Sequence, residues 1–330
     1  MNRFKVKVRD AAPTSRVLVV AIMVSMVVGF ALTFWLRPMP GPAKHARLDV
    51  AGAALSAVGL SATVFALIES QRRGWADPLV TASMVVGVAA LVVFVAWERR
   101  APHPMLPLDL FAIRNFAGAN LATAFVYGGL TLASLATGLY LQQVASYSAL
   151  VAGLVTLPSP VMSFLFARRA GRAAARIGPW VFLMAGPVLA GLGLLLIRPS
   201  AHGFNIFTQL LPGRIVLAVG LVVTITPLTA LNLSSVGPAQ SGIASAVQNA
   251  VGRLSALIAV ACIGLIAAGP LTDASFARLL QVSAVLFFTG AVISGLITTN
   301  PAISAKPVLR KLATVGRERP VAQPALAGRA

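Results

Sequence analysis

The stretch LVTASMVVGVAALVVFVAW, residues 79–97, decides the fold class of this chain. It holds no charged residue, whereas Asp77 precedes it and Glu98, Arg99 and Arg100 follow it. An apolar run of about 18 residues or more is long enough to cross the hydrocarbon core of a bilayer as an α-helix. We therefore interpret residues 79–97 as a transmembrane helix.

Nine stretches of this kind occur along the chain. The first is longer than the apolar region of a typical signal peptide, and no small-residue cleavage site follows it, so we interpret it as a retained span. The sequence thus predicts an all-α polytopic membrane protein with about nine transmembrane helices. The predicted spans are 17–36, 50–68, 79–97, 116–140, 149–167, 179–197, 215–233, 243–268 and 279–297.

The composition excludes a water-soluble globular protein. Hydrophobic residues make up 58% of the chain, charged residues 11%, and the mean hydropathy is +0.86. The net charge of +19 comes from basic residues scattered between the spans, as in loops that face lipid headgroups. The expected partner is therefore a lipid bilayer and not nucleic acid. The single cysteine, Cys262, lies inside a span, so we expect no intramolecular disulfide, no cysteine-based metal site and no cofactor.

The distribution of lysine and arginine predicts the orientation in the membrane. Basic residues are enriched in cytoplasmic loops. When the C-terminus is placed inside, the inner segments hold nearly twice as many basic residues as the outer ones. This predicts a multi-pass cell-membrane protein with a cytoplasmic C-terminus. The basic N-terminal segment then lies on the other side, against the rule.

Several short segments together resemble one transporter family. They are LDVAGA at 48–53, ALIE at 66–69, GW at 74–75, LYLQQ at 139–143, YS at 147–148, GRAAARIGP at 171–179, TPLT at 226–229 and GIAS at 242–245, followed by Asn249 and Arg253. The chain in this way resembles the fourteen-helix drug:proton antiporter branch of the major facilitator superfamily. The resemblance covers most of the chain and implies efflux of small amphipathic or cationic compounds by alternating access.

The resemblance also implies a domain organisation. Residues 1–36 correspond to the family's sixth helix, 37–100 to its two extra helices, 101–300 to a complete C-terminal six-helix half, and 301–330 to a basic cytoplasmic tail expected to be disordered. The family's first five helices have no counterpart in the sequence. A start site inside a longer ancestral gene accounts for this and for the position of the basic N-terminus, and a separate chain supplying those helices is a possible partner.

The segment 171–179 is similar to the family's cytoplasmic loop motif, in which we assign Gly171, Arg172, Arg176 and Gly178. The family motif carries an acid where this chain has Ala175. This departure puts the strength of gating at that loop in doubt.

Polar side chains inside apolar spans are the candidates for a substrate pathway. Each has an alternative interpretation as an interhelical hydrogen-bonding residue. Arg253, deep in its span, could bind an anionic group or gate the cavity. Alternatively, it snorkels to the surface or bonds to neighbouring carbonyls. A polar stripe of Gln248, Asn249 and Arg253 is expected to face the helix bundle. The candidates are Asn120, Tyr127, Gln142, Gln143, Thr226, Asn232, Asn249 and Arg253.

Acidic residues and histidines all lie in predicted loops or at the ends of spans. A proton relay at the bilayer midplane therefore cannot be built from this sequence. No grouping of residues indicates an enzyme. Two hypotheses remain: a drug efflux transporter that is incomplete by itself, or a non-transporting remnant or membrane subunit that requires a partner half.

Overall fold

The computed structural model describes residues 49–101, 108–200, 204–267 and 269–297, together with four exposed helical residues near the N-terminus, Met23, Met26, Val27 and Phe30. Those four belong to the unit Met1–Arg47, and all elements below belong to the unit Leu48–Ala330. Apart from the four, the predicted span 17–36 lies outside the described residues, as does the predicted tail 301–330.

Every regular element among the described residues is helical. Short 3₁₀ turns precede two of the helices, and a π-helical turn, Ile206–Leu210, leads directly into a third. The α-helices are α1 (Val50–Arg73), α2 (Pro78–Glu98), α3 (Arg114–Gln143), α4 (Ala149–Leu154), α5 (Pro158–Ile177), α6 (Pro179–Leu195), α7 (Leu211–Ser234), α8 (Ser241–Ala267) and α9 (Asp273–Ile297).

Seven helical stretches of the described chain are long and apolar enough to cross a membrane, with α4 and α5 counted together as Ala149–Ile177. The shorter apolar helix α6, of 17 residues, coincides with the predicted span 179–197. Every predicted span except the first thus has a helical counterpart. The prediction of an all-α polytopic membrane protein is confirmed.

The predicted span 149–167 is not one continuous helix. The chain turns between Leu154 and Pro158, where α4 ends and α5 begins. Pro158 is the first residue of α5, a position at which proline's missing amide hydrogen costs no helical hydrogen bond. The two helices together still form one membrane-length stretch, Ala149–Ile177.

The assignment of Gly171, Arg172 and Arg176 to a loop was wrong. All three lie in the last turns of α5, which continues to Ile177. Alanine and arginine have high helix propensity, so this alanine-rich segment extends the helix. Gly178 ends it with a positive φ of 105°, and its amide donates to the carbonyl of Ala174 at 2.9 Å.

Helices α1 and α2 form an antiparallel hairpin that contacts α8. At one end, Trp97 donates from Nε1 to the Asp49 carboxylate at 3.0 Å, and Asp49 also caps α1. At the turn, Arg73 donates to Glu69 at 2.7 Å. This hydrogen bond, with the Coulombic attraction of Glu69, raises the pKa of Arg73.

The remaining helices form a bundle. Helix α9 packs against both α3 and α6, α7 packs against both α5 and α6, and α8 packs against α3.

Arg114, at the start of α3, donates to the terminal carbonyls of α9 at Leu296 (2.6 Å) and Ile297 (2.8 Å). Helix C-termini leave such carbonyls without intrahelical partners. We call this the Arg114 end of the bundle. The opposite end, where Tyr147 donates to the carbonyl of Phe204 at 2.8 Å, is the Tyr147 end.

The contact between α6 and α7 depends on small residues. A Cβ added at Gly220 of α7 would lie 2.7 Å from the carbonyl oxygen of Gly186 in α6. A Cβ added at Gly193 would lie 2.5 Å from the backbone nitrogen of Leu217. The two backbones therefore approach as closely as glycine allows, which is how helices gain packing energy in lipid.

Candidate functional site

A cluster of five polar side chains joins helices α3, α7 and α8, and we call it the polar cluster. Asn232 of α7 occupies its centre: its side-chain oxygen accepts from Asn120 of α3 at 3.1 Å. Its amide nitrogen donates to the carbonyl of Ala244 at 3.0 Å and to Gln248 Oε1, both in α8, at 3.2 Å. The members are Asn120, Thr123, Thr229, Asn232 and Gln248.

Gln248 extends the cluster to two hydroxyl groups. Its Nε2 lies 3.4 Å from the Oγ1 atoms of Thr123 in α3 and Thr229 in α7. Asn120, Thr123, Asn232 and Gln248 are all buried. Buried amides are stable in an apolar environment only when they are hydrogen-bonded, so this set of contacts holds the three helices in one relative arrangement.

One acceptor in the cluster is unsatisfied. Asn120 Oδ1 is buried and has no hydrogen-bond partner among the described residues. Asn120 is the seventh residue of α3, which places the cluster about 9 Å along the helix from Arg114. The cluster thus lies towards the Arg114 end of the bundle, away from its middle. The unsatisfied Asn120 Oδ1 atom can accept a hydrogen bond from water or from a donor group on a ligand.

Asn120 and Asn232 are the only two of the eight sequence candidates that hydrogen-bond to each other in the described structure. Tyr127 is half-buried and packs over Gly252, where an added Cβ would meet its ring at 3.3 Å. Thr226 faces the neighbouring helix α5, with its methyl group 3.3 Å from the position of a Cβ at Gly171. The roles of these residues in a pathway stay predictions.

Other candidates lie on outward surfaces. Asn249 and Arg253 are exposed on α8, and Asn249 bonds only to the carbonyl of Ser245 in its own helix at 2.9 Å. The expectation that both face the bundle together with Gln248 was wrong, because one residue of helix corresponds to a rotation of about 100°. Gln142 and Gln143 are exposed at the C-terminus of α3, far along that helix from Asn120.

Three members of the polar cluster were not among the substrate-pathway candidates: Thr123, Thr229 and Gln248. Gln248 was predicted to face the bundle as part of the polar stripe, and its burial confirms that prediction. An amide inside an apolar span is costly unless a partner helix satisfies it. Threonine gives a weaker signal. Thr123 Oγ1, for example, also bonds to the carbonyl of Ala119 within α3 at 2.8 Å, as threonine in a helix commonly does.

An apolar cavity of about 370 Å³ lies beside the cluster helices, between α3, α8 and α9. It has the size of a small-molecule site and almost no polar lining. Elsewhere, no three His, Cys, Asp or Glu side chains of the described segments come together to hold a metal ion. The residues that line the cavity are Ala124, Phe125, Gly128, Leu132, Ser255, Ile258, Ala259, Cys262, Ile266, Val282 and Leu286.

Comparison with known proteins identifies several similar chains. The multidrug resistance protein Stp of Mycobacterium tuberculosis is 30% identical over 226 residues, covering 67% of this chain and 41% of Stp. The puromycin resistance protein pur8 of Streptomyces alboniger is 32% identical over 229 residues, 68% of this chain and 45% of pur8.

The multidrug efflux pump LfrA of Mycolicibacterium smegmatis is 30% identical over 229 residues, 69% of this chain and 44% of LfrA. The chain thus spans less than half the length of these curated relatives. No protein-family model matches the sequence.

Proposed function

Because this chain belongs to the major facilitator superfamily of transporters, we propose that it forms one half of an efflux pathway for small amphipathic or cationic compounds. Such transporters rock two helical halves about a site between them. The single observation that carries the proposal is the similarity to drug-resistance transporters over about two thirds of the chain. The polar cluster fits it, since it joins three helices that would have to move as one body.

The outward faces of α8 and α5 support the same proposal. Arg253 is exposed near the middle of α8, where a charge facing lipid is costly. Phe164, in α5, is 90% exposed. We propose that both faces line or contact the second half of the transporter, supplied by polypeptide outside these 330 residues, and that the pathway runs along Tyr127, Thr226, Asn249 and Arg253. Gln142 and Gln143 would then lie at its mouth.

The domain organisation proposed on the same basis assigns 101–300 to the transport half and 37–100 to an inserted hairpin beside it. Residues 1–36 would form the helix that precedes the hairpin, and 301–330 a cytoplasmic tail. In this arrangement the Arg114 end of the bundle faces the cytoplasm, so the polar cluster would hold the helices together near the inner membrane surface. The segment with Gly171, Arg172, Arg176 and Gly178 would lie at that surface.

Orientation has a direct test. In a Cys262→Ser background, a membrane-impermeant maleimide applied to intact cells should label Ala76→Cys, in the turn between α1 and α2. It should not label Gly237→Cys, between α7 and α8, until the membrane is permeabilised. Both positions are exposed. Labelling of Gly237→Cys alone in intact cells would reverse the proposed orientation, because the proposed topology puts the two turns on opposite sides of the membrane.

Transport is tested with and without a second half. The acidic residues of the described spans all lie at the span ends, where they cannot carry a proton across the midplane. The 330 residues reconstituted alone should therefore show no substrate-dependent proton flux. Co-expression with the N-terminal half of LfrA should restore efflux of an amphipathic dye from everted vesicles, and the LfrA half alone is the control. Protonophore-sensitive dye transport by the chain alone would contradict the need for a second half.

The competing function is a membrane subunit that does not transport. Residue 175 favours it: this chain has alanine there, whereas the family's cytoplasmic loop motif has an acid. If both halves reach the membrane and associate but no dye moves, this alternative replaces the transport proposal.

A further inference from the structure

Four exposed arginines lie close together near the C-terminus of α5, and the transport proposal gives them no ligand. They are Arg168, Arg169, Arg172 and Arg176. Because each helical residue adds a rotation of about 100°, the last three fall within about 60° of one another on one face of α5. Arg168 lies outside this face, about 100° from Arg169.

No acid of the described chain forms an ion pair with the three arginines on this face. The ion pairs among the described residues all lie around the turn between α1 and α2. The segment 168–178 contains no acid, and the guanidinium of Arg169 lies over the ring of Phe166, 5.7 Å from its centroid. The face therefore keeps a positive charge that attracts an anion.

These three arginines line a groove that we call the basic groove. Its volume is about 330 Å³, and its lining is Arg169, Arg172, Ala173, Arg176 and Ile177. Guanidinium groups bind phosphates through parallel N–H donors. A phosphate in the groove can accept hydrogen bonds from more than one of the three side chains, so the chemistry of the groove favours a phosphate group.

An apolar pocket of about 270 Å³ continues from the basic groove, and Arg169 and Ala173 line both spaces. Its other walls include Met162 and Phe166 of α5, Phe182 of α6 and three valines of α7. Met162 precedes Arg169 by seven residues, so the pocket extends about 10 Å along α5, away from the C-terminus of that helix. A ligand that fills both spaces has a phosphate at one end and an apolar chain at the other.

The basic groove lies at the Arg114 end of the bundle. Trp180, the second residue of α6, donates from Nε1 to the carbonyl of Gly295 at 3.1 Å. That carbonyl immediately precedes the two α9 carbonyls that accept from Arg114. Tryptophan is typical of the membrane–water interface, and clustered arginines are typical of surfaces that meet anionic headgroups. The groove is therefore at the level of lipid headgroups, and the pocket beside it is at the level of acyl chains.

The arginine face of α5 differs from the face that we assign to the second half of the transporter. Phe164, which represents the latter, precedes Arg169 by five residues and therefore lies about 140° around the helix from it. The second half can cover Phe164 and leave the basic groove open to the bilayer. Lipid is accordingly the occupant that the geometry favours.

We propose that the basic groove and the apolar pocket together form a binding site for one anionic phospholipid. Its phosphate contacts the three arginines, and one acyl chain fills the pocket beside Phe166 and Phe182. A lipid with a net negative charge is preferred over a zwitterionic one, since the cation of a zwitterionic headgroup is repelled by the arginines. The site does not depend on whether the chain transports.

Competitive binding to the purified full chain in a neutral maltoside detergent tests the headgroup preference. The probe is phosphatidylglycerol with a fluorophore on one acyl chain, and fluorescence anisotropy reports its binding. The competitors are dioleoyl phosphatidylglycerol and dioleoyl phosphatidylcholine, which share acyl chains and differ in net charge. Phosphatidylglycerol should displace the probe at a concentration at least about tenfold lower than phosphatidylcholine. Equal displacement would overturn the proposal.

Variants of α5 locate the charge that makes the difference. Arg169→Gln should reduce the preference about fivefold, because an arginine near an anionic headgroup contributes about that factor. Arg168→Gln is the matched control, since Arg168 is exposed on the same helix and lines neither space. It should change the preference by less than about twofold, because it lies outside the arginine face. A preference unchanged in Arg169→Gln, or reduced equally in Arg168→Gln, would contradict the site.

A second pair of variants locates the acyl chain. Ala173 is half-buried where the two spaces meet, so Ala173→Phe should fill the entrance of the pocket and weaken binding of dioleoyl phosphatidylglycerol several-fold. The exposed Ala175 lines neither space, so Ala175→Phe should leave the affinity unchanged. Unchanged affinity in Ala173→Phe, or an equal loss in Ala175→Phe, would place the acyl chain elsewhere and overturn the proposal.

Native mass spectrometry separates a lipid occupant from a protein occupant. Anionic phospholipid should co-purify with the wild-type chain more than with Arg169→Gln, and it should stay bound when the N-terminal half of LfrA is co-expressed. Loss of the lipid on association with the LfrA half would assign the groove to the second half and overturn the proposal. A complex that retains the lipid but moves no dye would support this site and refute transport.

Discussion

Replacing Gly220 by alanine should lower the free energy of unfolding of the helix bundle by about 1–3 kcal/mol. The new methyl group would meet the backbone of α6, at 2.7 Å from the carbonyl oxygen of Gly186. Backbone atoms cannot rotate away as a flexible side chain can, so α6 and α7 must separate along their whole contact. The measurement is reversible unfolding in mixed micelles of maltoside and dodecyl sulfate, followed by circular dichroism.

Gly138→Ala is the matched control for this prediction. Gly138 lies within α3, and a Cβ at this position meets no atom within 4 Å. Alanine is the better helix former by about 1 kcal/mol, so this variant should be neutral or slightly more stable. Equal destabilisation by the two substitutions would mean that the α6–α7 contact is not the cause. A neutral Gly220→Ala would show that these helices are not in close contact.

Asn232→Leu should destabilise the bundle by about 2 kcal/mol. The side chain of Asn232 bonds to Asn120, Gln248 and the carbonyl of Ala244. Single interhelical hydrogen bonds in membranes contribute about 0.6 kcal/mol on average and up to about 1.7 kcal/mol. The loss exceeds one such bond because the Asn120 and Gln248 amides remain buried without their partner.

Asn249→Leu serves as the control, because Asn249 is exposed and bonds only within α8. It should change stability by less than about 0.5 kcal/mol. A double-mutant cycle between Asn120→Ala and Asn232→Ala should give a coupling energy of about 0.5–1.5 kcal/mol. A coupling energy near zero would contradict the direct contact between α3 and α7, whatever the single variants do.

The positions of the helices follow from the sequence to a large extent because their causes are local. An uncharged run such as 79–97 must be a membrane helix wherever it packs, and α2 spans Pro78–Glu98 accordingly. The departures also have local causes that were visible in the chain. A helix begins at Pro158 inside the predicted span 149–167, and the alanines after Gly171 extend α5 where a loop was expected.

What the sequence by itself determined is the membrane class, the number and approximate limits of the described spans, and the absence of acids from their interiors. Only the tertiary structure decided which polar residues meet. Asn120 and Asn232 are 112 positions apart yet hydrogen-bonded, while Gln248 and Asn249 are adjacent yet face opposite environments. It also decided that Arg214 is buried and Arg253 exposed. The physical reason is that hydrophobicity and length place a helix in the membrane, whereas its rotation about its own axis depends on close packing with neighbours distant in sequence.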